Sequence, residues 1–324
     1  IATEVAARLG VSLGVGGINA FRGAGTRNIE AYEAYLRARG QRYTDAGVAE
    51  AISLLERAVQ LDPEYAAAWA ELAIRVLNGV WGVGVDEGTE ISRRAYQLGL
   101  RAVELDPESA DVKSGLAMIK MNRFDWIGAE QDSLHAIELL SDRLTIERYA
   151  LMLMRSGRSS EAEKQFHAAV AEEPLDGHTH GQIWHVYLAQ GRLEEAQAIL
   201  DRSGEDDQFE DNLDIAFSRR DPGAIMATIR AMPETSVAYV SLYEPLLGVF
   251  ESPDRALRVL RDVYEDESLL WPRKLHDISM AAAYFGEAEF ALEVKGRESR
   301  VNPVRLASIW DPVMSEVRKL DGFK

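Results

Sequence analysis

Cysteine is absent from all 324 residues of this chain. That excludes a disulfide scaffold, cysteine-ligated zinc or iron–sulfur centres, and thiol catalysis. It also fits a cytoplasmic protein, which is the expected location. Positive charge is scarce: 36 Lys and Arg stand against 53 Asp and Glu, for a net charge of −17. Such a surface repels nucleic acid and anionic membranes, so neither is an expected partner. Apolar runs are short, and none approaches the roughly 20 residues that a membrane-spanning helix needs. Proline occurs only ten times, so a proline that returns at a fixed position carries information. What the chain has in quantity is apolar surface, at 47% of residues. That is enough to bury a large core and too much for a disordered tail.

The prolines close a recurring spacing: an alanine, a second alanine seven residues on, and a proline five residues after that. It reads Ala51, Ala58, Pro63; then Ala95, Ala102, Pro107; then Ala162, Ala169, Pro174. Ala129, Ala136 and Ser141 keep the spacing without the proline. From the first alanine of one unit to the next is 44 residues (51 to 95), 34 (95 to 129), 33 (129 to 162) and 34 (162 to 196). A period near 34 marks stacked helix pairs. The surplus in the 44-residue interval falls on the glycine-rich stretch 78–88, which reads as a long loop carrying Trp81. Beyond Ala196 the signal fades: Ala224 and Ala231 keep the step of seven, and Ala256 and Ala291 lie 35 apart.

Each recurring residue has a physical task. Proline after Asp stops one helix and suits the first turn of the next, where the Asp side chain can cap free N–H groups. The paired alanines sit on the second helix of each unit, where the lack of a long side chain lets two backbones approach. Gly157 and Gly191 fall where the first helix must turn, and glycine accepts the left-handed conformation needed there. Trp69, Leu72 and Val76 share one face of the helix that follows Pro63.

The pattern Trp69, Leu72, Ala73, then Ala95, Ala102 and Pro107, resembles the tetratricopeptide repeat. So does Trp184, Tyr187, Gly191, Arg192 and Ala196. The resemblance covers residues 28–204 in phase and implies an all-α, right-handed superhelix of stacked antiparallel helix pairs, with about seven to eight repeats. On this reading residues 1–27 are the remnant of a preceding domain and a glycine-rich linker, 28–204 form the regular array, and 205–324 form degenerate repeats. A narrower likeness concerns the ends. Residues 1–9 and 25–37, together with Trp310, Asp311, Pro312 and the ending 318–324, are similar to the C-terminal tails of bacterial signalling proteins. In those, a class III nucleotide cyclase or a winged-helix domain, often with a TolB-like segment, comes first. Neither effector is visible in this chain, which reads as a piece of a longer protein.

The resemblance also implies which side chains line the concave groove, at four positions of each first helix. These are Ala67, Ala70, Ile74 and Leu77; Asp111, Ser114, Met118 and Met121; Thr145, Arg148, Met152 and Arg155; and His178, Gly181, His185 and Leu188. The lysine and asparagine with which chaperone-binding members clamp a carboxylate are missing. The groove reads as an apolar, methionine-rich floor with a basic edge at Arg148 and Arg155, fit for an apolar or helical peptide. The competing reading is that another segment of the chain packs over these methionines.

Other candidates are weaker. His178, His180 and His185 lack the carboxylate spacing of a zinc site, so no metal is expected. The glycines 14, 16, 17, 23 and 25 lack the Lys–Ser/Thr of a phosphate loop and read as linker. The acidic groups 205–207 and 265–267 read as solvated faces. No catalytic residues and no cofactor are expected. The function implied is a non-catalytic module for protein or peptide partners, regulatory within a larger protein. A small-molecule sensor and a self-associating scaffold are the alternatives.

Overall fold

The computed structural model describes residues 25–41, 44–79, 85–174, 177–203, 208–232, 239–267, 270, 272–301 and 303–323. The linker glycines up to 23, Trp81 and the acidic run 205–207 lie outside them. Among the described residues every regular element is helical. The first six helix pairs are α1 (Ile29–Arg39) with α2 (Asp45–Leu61), α3 (Ala66–Asn78) with α4 (Val85–Leu105), α5 (Ala110–Asn122) with α6 (Trp126–Leu139), α7 (Arg143–Arg155) with α8 (Ser159–Glu172), α9 (Gly177–Ala189) with α10 (Leu193–Ser203), and α11 (Phe209–Arg219) with α12 (Pro222–Ala231). A π-helical turn (Tyr239–Tyr243) runs into the short α13 (Glu244–Leu247), followed by α14 (Pro253–Glu265), α15 (Pro272–Tyr284) and α16 (Ala288–Val301). A run of 3₁₀ turns from Pro303 to Phe323 ends the described chain. Each helix packs on its pair partner, and the first helices α3, α5 and α7 pack on one another. This is the expected solenoid of stacked pairs.

The alanine ruler marks the helix contacts. Ala51, Ala58, Ala129, Ala136, Ala162, Ala169 and Ala196 have no exposed surface, and Ala95 and Ala102 have almost none. The first helices approach as closely: a Cβ placed on Gly115 would sit 3.2 Å from that of Ala70. In α12 the ruler misleads, because Ile225 and Ile229 are the fully buried residues while Ala231 is exposed. Larger side chains take over the contact there, which is why the alanine signal fades.

The turns follow one design. Gly157, Gly191 and Gly286 have φ of 81°, 74° and 92°. The next N–H reaches back five residues in each, as in Arg158 N to Leu153 O at 2.9 Å, closing the Schellman motif. Phe124 and Arg220 hold the same place with φ of 62° and 53°, a conformation that disfavours side chains other than glycine.

Two expectations need correction. Pro63 and Pro107 lie in the linking turns rather than in the first helical turn, since α3 begins at Ala66 and α5 at Ala110. Their aspartates bridge the turn: Asp62 Oδ1 accepts from Glu64 N at 3.1 Å and Asp106 Oδ1 from Glu108 N at 3.3 Å. Asp before Pro forms its own local turn, which competes with capping the helix. Second, Val85–Gly88, assigned to the long loop, is the first turn of α4.

Ala102 packs among Ala66, Ala70 and Val112. Replacement by Phe overpacks that contact and should destabilise by about 1–3 kcal/mol. A urea midpoint equal to that of the unsubstituted chain would refute the phasing of the ruler.

Candidate functional site

The first helices of successive pairs pack side by side, and most of the positions inferred for the concave groove are buried, although His178 is exposed and Gly181 and His185 are partly so. Ala67, Ala70, Ile74, Leu77, Ser114, Met118, Met121, Arg148, Met152 and Arg155 are all buried. Ala67 and Ala70 pack between helices, within two neighbouring apolar clusters. Met118, Met121 and Met152 join one cluster with Tyr149, Leu153 and Ile183, and Ala307 of the C-terminal turns packs against it. The segment Pro303–Trp310 lies across α5, α7 and α9, which are the first helices of three successive repeats. Another part of the chain therefore fills this stretch of the groove.

That segment, the strap, is anchored by specific contacts. The indole Nε1 of Trp310 donates to the carbonyl of Arg155 at 2.9 Å, satisfying one of the oxygens left free where α7 ends. The ring lies over Gly157: a Cβ there would fall 2.6 Å from it. Farther along, Pro312–Ser315 packs on α11 and α15, and Arg318 holds the strap's own carbonyls at Ile309 (2.5 Å) and Asp311 (2.9 Å).

Beneath the strap the supposed basic edge resolves into two different arginines. Arg148 is a buried bridge. It donates to Glu71 Oε2 at 2.6 Å and to Ser114 Oγ at 2.8 Å, while Arg75 holds Glu71 Oε1 at 2.9 Å. Burial alone would raise the Glu71 carboxyl, but Arg148 and Arg75 outweigh it and hold it below the usual carboxylate range. Arg155 is the opposite case. Its guanidinium touches the sulfur of Met121 at 3.4 Å, and its Nε has no hydrogen-bond partner among the described residues. Burial pushes its pKa down to about 10 with no carboxylate acting against it, so it remains a cation at neutral pH.

The histidines do not converge. His178 Nε2 lies 3.4 Å from Glu147 Oε1, His180 faces the carbonyl of Pro174 at 3.2 Å, and His185 stacks on Trp184 at 3.8 Å. Thr179 also donates to Glu147, at 2.8 Å. Burial works to raise the Glu147 carboxyl, yet His178, Thr179 and Arg143 together lower it. Among the described residues no group of three or more His, Asp or Glu side chains could hold a metal ion.

One polar centre escapes any sequence pattern. His276, 1% exposed, faces Asp214 through Nε2 at 3.0 Å. On its other side Nδ1 lies 3.4 Å from Ser308 Oγ and 3.5 Å from Lys295 Nζ. Lys295 donates to Ser308 at 2.5 Å and to Glu298 at 2.7 Å. Asp, His and Ser stand in line as in a hydrolase, but the Lys295 ammonium occupies the serine oxygen and His276 is sealed from solvent. The arrangement pins the strap at Ser308. Only the fold joins these residues, which come from α11, α15, α16 and the strap.

Comparison with known proteins agrees with this geometry. Residues 153–214 match the model of the tetratricopeptide repeat. The Cut9 and Hcn1 hetero-tetramer of the APC/C aligns with a TM-score of 0.52 at 11% identity, covering 94% of this chain and 57% of that one. The fold is that of a tetratricopeptide-repeat solenoid. A tetratricopeptide protein from Parabacteroides merdae aligns at 0.46 with 13% identity, over 79% of this chain and 98% of its own. Pseudomonas aeruginosa PilF aligns at 0.35 with 17% identity, over 76% and 96%. No curated protein matches the sequence. Among the described residues no helix is long and apolar enough to cross a membrane.

The buried bridge makes the tetratricopeptide array sensitive to acid. The folded-state pKa of Glu71 lies below the ordinary value of about 4.3, so its contribution is complete above that pH and is lost as pH falls through the folded value. Glu71→Gln leaves Arg148 and Arg75 without their counter-ion and should cost about 3–5 kcal/mol at pH 7. In urea melts the variant should approach the unsubstituted chain as pH is lowered to about 3. A gap that does not narrow would disprove the assignment.

Proposed function

We propose that this chain is a non-catalytic interaction module that takes a short apolar segment of a partner protein along the concave side of its array, and that it serves as the regulatory part of a larger, cytoplasmic, bacterial signalling protein. The observation that supports segment binding is the strap itself. Across α5, α7 and α9 there already lies a stretch of polypeptide in 3₁₀ turns, with Ala307 packed on a methionine cluster and an indole hydrogen-bonded to the scaffold. A surface that accommodates one such segment has the shape and chemistry for another, and methionine adapts to different side chains. The regulatory role draws its support from the likeness of residues 25–37 and 310–324 to the tails of signalling proteins.

Gly181 offers a clean test, because the repeat register assigns it to the groove side of α9 and a Cβ added there meets nothing within 4 Å. Peptides selected from a displayed library on the full chain should bind Gly181→Arg at least about tenfold more weakly. Its melting temperature should be unchanged or raised, since arginine is the better helix former. Selected peptides that bind both proteins equally would place the binding surface elsewhere. A library that yields no binder would remove the support for segment binding.

A further inference from the structure

The strap is an imperfect occupant of the groove it fills. It is built of 3₁₀ turns, whose hydrogen bonds are poorer than those of an α-helix. Leu306, Ala307, Ser308 and Trp310 are only partly buried. Its polar contacts with the array include Trp310 on the carbonyl of Arg155, and Ser308 on Lys295 beside His276. Above all, it is anchored at the backbone carbonyl of Arg155, and among the described residues no carboxylate of the strap pairs with that cation. Arg155 is 5% exposed, its Nε has no hydrogen-bond partner among the described residues, and its Nη1 donates to the Met121 thioether. A charge taken from water without a counter-ion destabilises the closed state. Several other buried cations meet carboxylates: Arg75 and Arg148 meet Glu71, and Lys295 meets Glu298. Arg155 breaks that pattern at the place where the strap crosses α7.

We infer that the strap is a displaceable internal ligand, and that the partner segment replacing it carries a side-chain carboxylate that pairs with Arg155 beside an apolar residue on the methionine floor. This rests on the reading of the concave side as the binding surface, and it adds what the partner must bring. The incoming peptide outcompetes the strap because it satisfies a charge that the strap leaves bare. Ala307 is the point of comparison, since it packs on the cluster that contains Met121, the residue whose sulfur Arg155 touches. On this inference an acidic residue at that position of a competing peptide is the one to pair with the guanidinium. Release of the strap also frees Ser308 from Lys295 and His276, so occupation of the groove is felt by α15 and α16 at the other end of the array.

The test uses two labelled synthetic peptides in fluorescence anisotropy. One has the sequence of residues 303–323, and the other is the same peptide with A307D. Both are titrated with the full chain, with Trp310→Ala, and with the double variant Trp310→Ala, Arg155→Met. Both peptides should bind the unsubstituted chain weakly. The 303–323 peptide should bind Trp310→Ala at least about tenfold more tightly, because the strap no longer competes as well. The A307D peptide should gain a further factor of about ten or more on Trp310→Ala through the charged pair. Arg155→Met should erase that second gain while leaving the first. Trp310→Phe, which keeps the ring and loses the N–H, replaces Trp310→Ala if the latter does not fold. Equal binding of the 303–323 peptide to the unsubstituted and Trp310-substituted chains would overturn the strap as a displaceable ligand. Equal binding of the two peptides to Trp310→Ala would overturn the carboxylate requirement. Either result leaves the concave side standing as a binding surface if library peptides still distinguish Gly181→Arg.

Discussion

The contact on which everything else depends is the one between helices that carry no side chain beyond a methyl group. Ala51, Ala58, Ala95, Ala102, Ala129, Ala136, Ala162 and Ala169 are essentially without exposed surface. A larger residue at any of them would force two backbones apart, and close packing leaves no slack to absorb it. Close approach on the second helices sets how each pair leans on the next. In a solenoid such a lean, accumulated over successive pairs, produces curvature, and here the first helices of successive pairs pack on one another. The concave interior is a consequence of that curvature, and so is the need to fill it.

What fills it is partly apolar and partly ionic, and the two parts do different work. The methionine cluster beneath Ala307 stabilises without direction, because its side chains adapt to whatever covers them. The Glu71, Arg148 and Arg75 bridge is directional. It joins α3 to α7 across 77 residues of sequence and touches the intervening pair through Ser114. Buried ion pairs of this kind add little net stability, since desolvation offsets most of the attraction, but breaking one is expensive. The bridge therefore acts mainly on register: an array that stacked with a different rotation between α3 and α7 would leave three charges unpaired.

How much of this was legible in the sequence follows from the range of each interaction. The alanine spacing and the turns at Gly157 and Gly191 are local and repeated, so one sequence displays them several times over. Pro63 was legible as a boundary but not as a turn residue, because Asp62 can serve a turn or a helix and only the geometry chooses. The residues inferred for the groove are mostly buried, which their spacing alone does not announce. Nothing near Met118 or Met152 in the sequence announces that residue 307 will cover them. The same holds for Arg155 and Trp310, which are 155 residues apart, and for the His276 centre, whose members come from four elements. Phe124 and Arg220 show the converse. They occupy the glycine position of the turn, and a search for glycine passes over them although their neighbours make the same hydrogen bonds.

These long-range contacts change what kind of solenoid this is. In an open array each repeat touches only its neighbours, so stability is close to a sum of local terms and the end repeats fray independently. Here the strap ties the third, fourth and fifth pairs to α15 and α16, and α16 itself reaches α4. The closing loop is long, but its entropic cost grows only with the logarithm of its length, so a modest set of contacts can hold it. A closed array of this kind melts more cooperatively than an open one, because loosening the strap exposes the methionine floor and disturbs the His276 centre together. The same coupling runs in reverse. Whatever stabilises the concave side without the strap must also release the C-terminal helices from it, and a local binding event becomes a change in the shape of the whole array.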